Sequence, residues 1–169
     1  LNRDDYINIE EEKRHRQIPY IFIFLLWKGD APEIAGELVR VIRESETIDV
    51  VEGSPEPFCK IDNMESTPSL SPGEWLSYIH HAKYVITNSF HCLSLSTIYG
   101  KDVFVVPCSD SNIERLEEHC RIFGIESRFI HSCDMVSLGT DYRIDNNSVE
   151  SIRDHVARCG KAYLTTSIG

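Results

Sequence analysis

Tyr84-Val-Ile-Thr-Asn-Ser-Phe-His-Cys-Leu-Ser-Leu-Ser-Thr-Ile-Tyr-Gly-Lys-Asp-Val-Phe-Val-Val106 decides the architecture. Tyr84 to Thr87 is a short run of β-formers. Asn88 and Ser89 follow, both good helix caps. A helix is then expected from about Ser89 to Tyr99, closed by Gly100, a natural carboxyl-terminal cap. Val103 to Val106 returns to strand and is stopped by Pro107. A strand, a helix and a second strand within so few residues spell a parallel crossover.

The same alternation extends outward in both directions. Upstream, Tyr20-Ile-Phe-Ile-Phe-Leu-Leu26 is apolar without alternation, as a strand covered on both faces must be. A helix begins near Asp30, with Pro32 in its first turn and Ile34, Leu38, Val41 and Ile42 at helical spacing. Ile48 to Val51 is a second strand, and the proline-rich stretch Gly53 to Ser69 reads as loop. Ser71-Pro-Gly-Glu74 combines a cap, a proline at the first helical position and a capping-box glutamate. Trp75, Leu76, Ile79 and Ala82 then form one face, with Trp75 expected in the core. Downstream, Ile113 to Phe123 is a helix ended by Gly124. Arg128 to Ile130 is a candidate short strand, and Val149 to Cys159 a final helix. The fold expected is α/β, a doubly wound, mainly parallel Rossmann-like sheet. Residues 18–169 form that domain, and the charged residues 1–17 are a linker or lead-in from something upstream.

Composition narrows the function classes. With 169 residues, 41% of them apolar, the chain suits one compact domain with a sizeable core. The formal net charge of −10 argues against a nucleic-acid footprint, so no nucleic-acid partner is expected. An anionic ligand must be held by local donors against the overall field. The six cysteines are irregularly spaced and contain no CxxC pair, and the seven histidines form no ligand pattern. Reduced thiols, a reducing cytoplasmic setting and no metal are expected. Cys92 and Cys108 read as buried thiols, and His80-His81 as a surface pair on a helix. No run reaches the roughly 18 apolar residues of a membrane span, and no signal peptide is visible at Leu1. Leu1 is not a natural start, which suggests a piece of a longer protein.

In doubly wound sheets ligands bind beyond the carboxyl ends of the strands. The turn after Tyr84–Thr87 is such a place. The first N–H groups of the following helix and its dipole favour an anion there. His91 falls in the first turn, where an imidazole can transfer a proton or contact a phosphate. From the residues alone, a plain capped helix start with a solvated or packed His91 stays equally open.

The block from Ser71-Pro-Gly-Glu-Trp-Leu through Ala82-Lys-Tyr-Val85 to Thr87-Asn-Ser-Phe-His91 resembles the signature of the polysaccharide pyruvyl transferases. The small apolar helix Leu93 to Tyr99, the Gly100-Lys101 turn, Arg115 and Phe123-Gly-Ile-Glu-Ser-Arg128 resemble further elements of that family. So does the approach from Leu1 to Leu26. One departure stands at Cys92, where the family usually has a glycine, a change expected to narrow or alter the donor pocket.

The resemblance implies the second lobe of a two-lobed, GT-B-like enzyme, with its site in the cleft between lobes. The reaction implied is transfer of pyruvate from phosphoenolpyruvate to two sugar hydroxyls, giving a ketal in surface or exopolysaccharide synthesis. His91 would be general acid or phosphate ligand. Thr87, Asn88 and Ser89 would hold the anionic donor, and Arg115 would add positive charge. Phosphoenolpyruvate is the donor substrate, with no separate cofactor. A saccharide acceptor and an upstream lobe are the implied partners, and a lipid-linked acceptor would bring the enzyme to a membrane surface. One lobe alone is expected to be inactive. Two other readings remain: a nucleotide-sugar glycosyltransferase or epimerase lobe, and a non-catalytic carbohydrate- or partner-binding domain.

Overall fold

A computed structural model describes residues 18–26, 29–108 and 113–136, together with residues 6, 9, 149, 151, 152, 154–156 and 158. Most of the lead-in expected over 1–17 lies outside the described residues, as does Cys159; the described residues of the helix expected from Val149 to Cys159 are helical.

Five strands form one sheet in the order β3-β2-β1-β4-β5, every pair parallel. They are β1 (Tyr20–Phe24), β2 (Asp49–Glu52), β3 (Met64–Ser66), β4 (Tyr84–Thr87) and β5 (Asp102–Val105). The helices are α1 (Ala31–Ser45), α2 (Pro72–His81), α3 (Phe90–Ile98) and α4 (Ile113–Phe123). The mainly parallel, helix-covered sheet expected from the sequence is what forms, here with every described strand pair parallel. Its order is that of a Rossmann-type doubly wound sheet. The chain winds one way through β1, β2 and β3, then crosses back to β4 and β5.

Continuous apolar strands require a cover on both faces, and each face has one. On one face Phe22, Val51, Val85 and Val103 meet α2, α3 and α4 through Ile79, Leu93 and Leu116. On the other, Ile21, Ile23, Val50, Ile86 and Phe104 meet α1 through Ile34, Ala35 and Leu38. Phe22 and Phe104 are fully buried, and each such side chain contributes about 1.5–3 kcal/mol.

Several local expectations hold in detail. Ser71 caps α2 in a complete capping box, with Ser71 Oγ accepting from Glu74 N at 3.2 Å and Glu74 Oε2 accepting from Ser71 N at 2.9 Å. Gly100 and Gly124 close α3 and α4 with φ of 65° and 66°.

Three expectations need correction. The proline-rich loop contains β3, a three-residue edge strand whose Glu65 and Ser66 are exposed; with no buried face to pattern it, Met64–Ser66 carries no alternation to read. Arg128 to Ile130 is a single 3-10 turn (Glu126–Arg128) followed by one parallel bridge, Val105 to Phe129, in place of a strand. Trp75, expected in the core, is only half-buried.

Candidate functional site

The strand order reverses between β1 and β4, so the crevice of the sheet opens at their carboxyl ends, Phe24 and Thr87, which are register partners. Polar side chains stitch this point closed. Thr87 Oγ1 donates to Phe24 O at 2.6 Å and accepts from Ser89 N at 3.0 Å. Asn88 Oδ1 accepts from Leu26 N at 2.8 Å, and Ser54 Oγ accepts from Leu25 N at 2.9 Å. Buried backbone donors must find partners. The Thr87-Asn88 pair supplies them where the sheet ladder ends.

Ser89 then caps α3, its Oγ accepting from Cys92 N at 3.4 Å. Only Ser89 takes the capping role; the Asn88 oxygen accepts from Leu26, two residues past the end of β1. In the first turn of α3 no acidic residue is present. His91, the second residue of that helix, is exposed and faces an open cleft of about 660 Å³. The cleft runs from α3 (His91, Ser94, Leu95, Ile98) across the end of β1 (Phe24, Leu26) to α2 (Ser71, Trp75) and the two connections around β3 (Gly53, Pro55, Pro68, Leu70). Trp75 packs on Phe24 with ring centroids 5.2 Å apart, giving the cleft an aromatic floor.

The expected site residues thus divide. Ser89 and His91 line the cleft. Thr87 and Asn88, 0% and 4% exposed, lie beneath it and hold the turn. Arg115 is the third residue of α4 and lays its guanidinium over the Phe90 ring at 4.3 Å, one residue from His91. That is a cation–π contact at the start of α3, leaving an exposed cation beside the site. Trp75, Phe24 and the β3 connections were not singled out by sequence; a lone tryptophan in a capping-box helix looks like core until the crevice is seen to open beside it.

Cys92 corrects a further expectation. Its side chain is fully buried in the core shared by α2, α3 and β4, not in the cleft. Burial pushes its thiol up to about 12, while the hydroxyls of Thr87 and Ser96 pull the other way. It neither narrows the pocket nor serves as a nucleophile. The free cysteines Cys59, Cys108 and Cys120 are likewise buried, and Cys133 is half-buried. His119, on α4, contacts Thr97 Oγ1 at 3.0 Å and packs between the Phe90 and Phe123 rings. Burial lowers it to about 4, so it stays neutral. Within the described residues no three His, Cys, Asp or Glu side chains cluster as a metal site, and no helix is long and apolar enough to cross a membrane.

The family model for polysaccharide pyruvyl transferase matches residues 2–110, which span β1 to β5 and the whole of this turn. The chain belongs to the polysaccharide pyruvyl transferase family. Among solved structures, this pyruvyl transferase family chain is similar to one described as a UDP-N-acetylglucosamine 2-epimerase from Listeria monocytogenes, at 12% identity and a TM-score of 0.46. The likeness covers 68% of this chain and 35% of that one, so the chain spans about a third of that structure's length. No curated protein matches.

Proposed function

We propose that this chain is the donor-binding, GT-B-like second lobe of a polysaccharide pyruvyl transferase. Phosphoenolpyruvate docks at the start of α3, and its pyruvate is moved to two hydroxyls of a saccharide. The carrying observation is the exposed His91 at an acid-free, serine-capped helix start that opens on the crevice of the sheet. Free N–H groups of the first turn and the helix dipole attract the anionic donor. Arg115 supplies a guanidinium fork that pairs with phosphate or carboxylate.

The proposed chemistry adds a proton to the methylene carbon and a sugar hydroxyl to the adjacent carbon. Phosphate departs with its electron pair, and a second hydroxyl closes the ketal. No oxidation occurs, so no redox partner is called for. His91 delivers the proton or holds the departing phosphate. Thr87 and Asn88 act from beneath, fixing the turn that presents Ser89 and His91. An upstream lobe facing the cleft would bring the acceptor and complete the site. Surface or exopolysaccharide synthesis is the setting that reaction fits. It would take place in the cytoplasm, at the membrane surface where the acceptor is lipid-linked.

A second reading has one observation behind it. A cleft of about 660 Å³ floored by Phe24 and Trp75 exceeds what phosphoenolpyruvate alone would fill, and suits a nucleotide sugar. Titrating the chain with phosphoenolpyruvate and, separately, with uridine diphosphate, while following backbone amide resonances, distinguishes the two. The proposal expects the phosphoenolpyruvate titration to move the amides of Ser89 to Ser94. A response to uridine diphosphate alone would transfer the site to the second reading, and silence from both would leave a binding module for another partner.

A further inference from the structure

Glu52 ends β2 and is 0% exposed. It sits on the α1 face of the sheet, near Cys59. Its Oε1 accepts from Phe58 N at 3.0 Å and from Cys59 N at 3.4 Å, while Oε2 has no hydrogen-bond partner. Its carbonyl accepts from Thr67 N at 2.8 Å and from Thr67 Oγ1 at 3.3 Å. One residue therefore ties down both connections around β3. Gly53 and Pro55 of the first connection, and Pro68 and Leu70 of the second, line the cleft.

The fit beside Glu52 is close. A Cβ on Gly53 would come within 2.7 Å of the Phe22 ring and 2.8 Å of Leu70. The connection can thus approach the sheet this nearly only with glycine at that position; Gly53 N donates to Ile23 O at 2.9 Å, Ser54 Oγ accepts from Leu25 N at 2.9 Å, and the stretch that follows is held by Glu52 at Phe58 and Cys59.

A carboxylate buried with one oxygen unpaired is costly, so keeping one here calls for a role that an apolar side chain of similar size lacks. The neighbourhood offers apolar packing in Val50, Phe58 and Cys59. What an apolar side chain cannot do is accept the Phe58 and Cys59 N–H groups in a segment without helix or strand bonds of its own.

We infer that Glu52 is a positioning residue: its Oε1 holds the Phe58–Cys59 stretch that follows the Gly53 and Pro55 wall, its carbonyl holds Thr67 just before the Pro68 and Leu70 wall, and together they shape the cleft for the donor, an inference that rests on the proposed reaction at that cleft. It touches no reacting atom. The wall it holds sets how the donor sits against His91.

The test compares Glu52→Gln, Glu52→Leu and Thr67→Val in the enzyme that carries this chain. Amide hydrogen exchange over residues 53–70 is measured together with steady-state kinetics on phosphoenolpyruvate. Glu52→Leu should speed exchange at Phe58 and Cys59 and raise KM for phosphoenolpyruvate at least about tenfold, with kcat within about threefold. Glu52→Gln keeps an acceptor oxygen and should hold KM within about twofold of the parent. Thr67→Val loosens the second connection only, should raise KM about threefold, and carries the test if Glu52→Leu fails to fold. A lower Tm with unchanged KM, or a Glu52→Gln variant as impaired as Glu52→Leu, overturns the inference. Exchange is read without substrate. An enzyme that ignores phosphoenolpyruvate sinks the proposed reaction, and the wall is then decided on exchange alone: unchanged protection in Glu52→Leu overturns it.

Discussion

Two helices begin beyond the carboxyl ends of the central strands, α1 after β1 and α3 after β4, and they are built to opposite purposes. The start of α1 has Asp30 at its cap position, with φ −88° and ψ −5° and no side-chain capping bond, and Glu33 in its first turn. Around it Glu33, Glu37, Asp134 and Asp30 form an acidic neighbourhood that, after burial, helps raise the Cys133 thiol above its ordinary range. The start of α3 has a bonded serine cap, no acid, His91 on the cleft and Arg115 close by. Both helix dipoles point positive ends at the same edge of the sheet. Only at α3 is that field left unopposed by side chains. In a chain of net charge −10, that difference is what the proposed anion site at α3 rests on.

The largest effect that would sharpen this comparison lies at His91. In the enzyme carrying this chain, His91→Ala should lower turnover roughly 100-fold or more, as loss of a general acid does. Its exposure at the cleft means Tm should hold. Specific activity and melting temperature are to be measured on the same sample. Normal activity per folded molecule would remove the catalytic role and make α3 a plain helix start.

His119 offers the next effect, on stability alone. Its folded pKa, about 4, lies below the ordinary histidine value because of burial. The unfolded chain therefore binds the proton first, and stability falls as pH drops from about 6.5 towards 4. The loss is on the order of 2 kcal/mol, after allowance for solvent reaching the half-buried ring. His119→Phe should flatten this part of a urea-denaturation pH series. An unchanged slope would mean that the ring is not held neutral between Phe90 and Phe123.

The comparison also shows what a single sequence can display. The capping box at Ser71, the bounds of α4 and the glycine caps at 100 and 124 were legible because each depends on neighbours within a few residues. The turn at Thr87–His91 was legible as a cap followed by a histidine. The division of labour inside it was not. Thr87 and Asn88 bond to Phe24 and Leu26, more than sixty residues away in the chain, and nothing local tells a cap that faces a ligand from one that faces a neighbouring strand. Cys92 is the buried thiol the sequence suggested, but its expected effect on the donor pocket fails for a related reason. One residue past His91, a helix turns its side chain by about 100°, out of the cleft and into the core. β3 and the Glu52 tether were invisible because an exposed three-residue edge strand has no pattern, and a buried glutamate at a strand end reads as an ordinary surface acid.

The smallest effect is the most direct measure of how the two helix starts differ. Ser89→Ala removes a bonded, 2%-exposed cap and leaves Cys92 N–H without its acceptor. It should cost about 1 kcal/mol. Asp30→Ala removes a residue of the type that usually caps well, yet its side chain makes no capping bond here. The charge it takes from the positive end of α1 is worth a few tenths of a kcal/mol. Relief of repulsion among Asp30, Glu33 and Glu37 offsets part of that, so the net change should stay within about 0.5 kcal/mol. For a domain of this size the Ser89 variant should melt about 2–4 °C lower, and the Asp30 variant within about 2 °C of the parent. Equal losses at the two sites would mean that Asp30 caps α1 in solution, and the asymmetry behind the proposed anion site at α3 would then rest on Glu33, His91 and Arg115 alone.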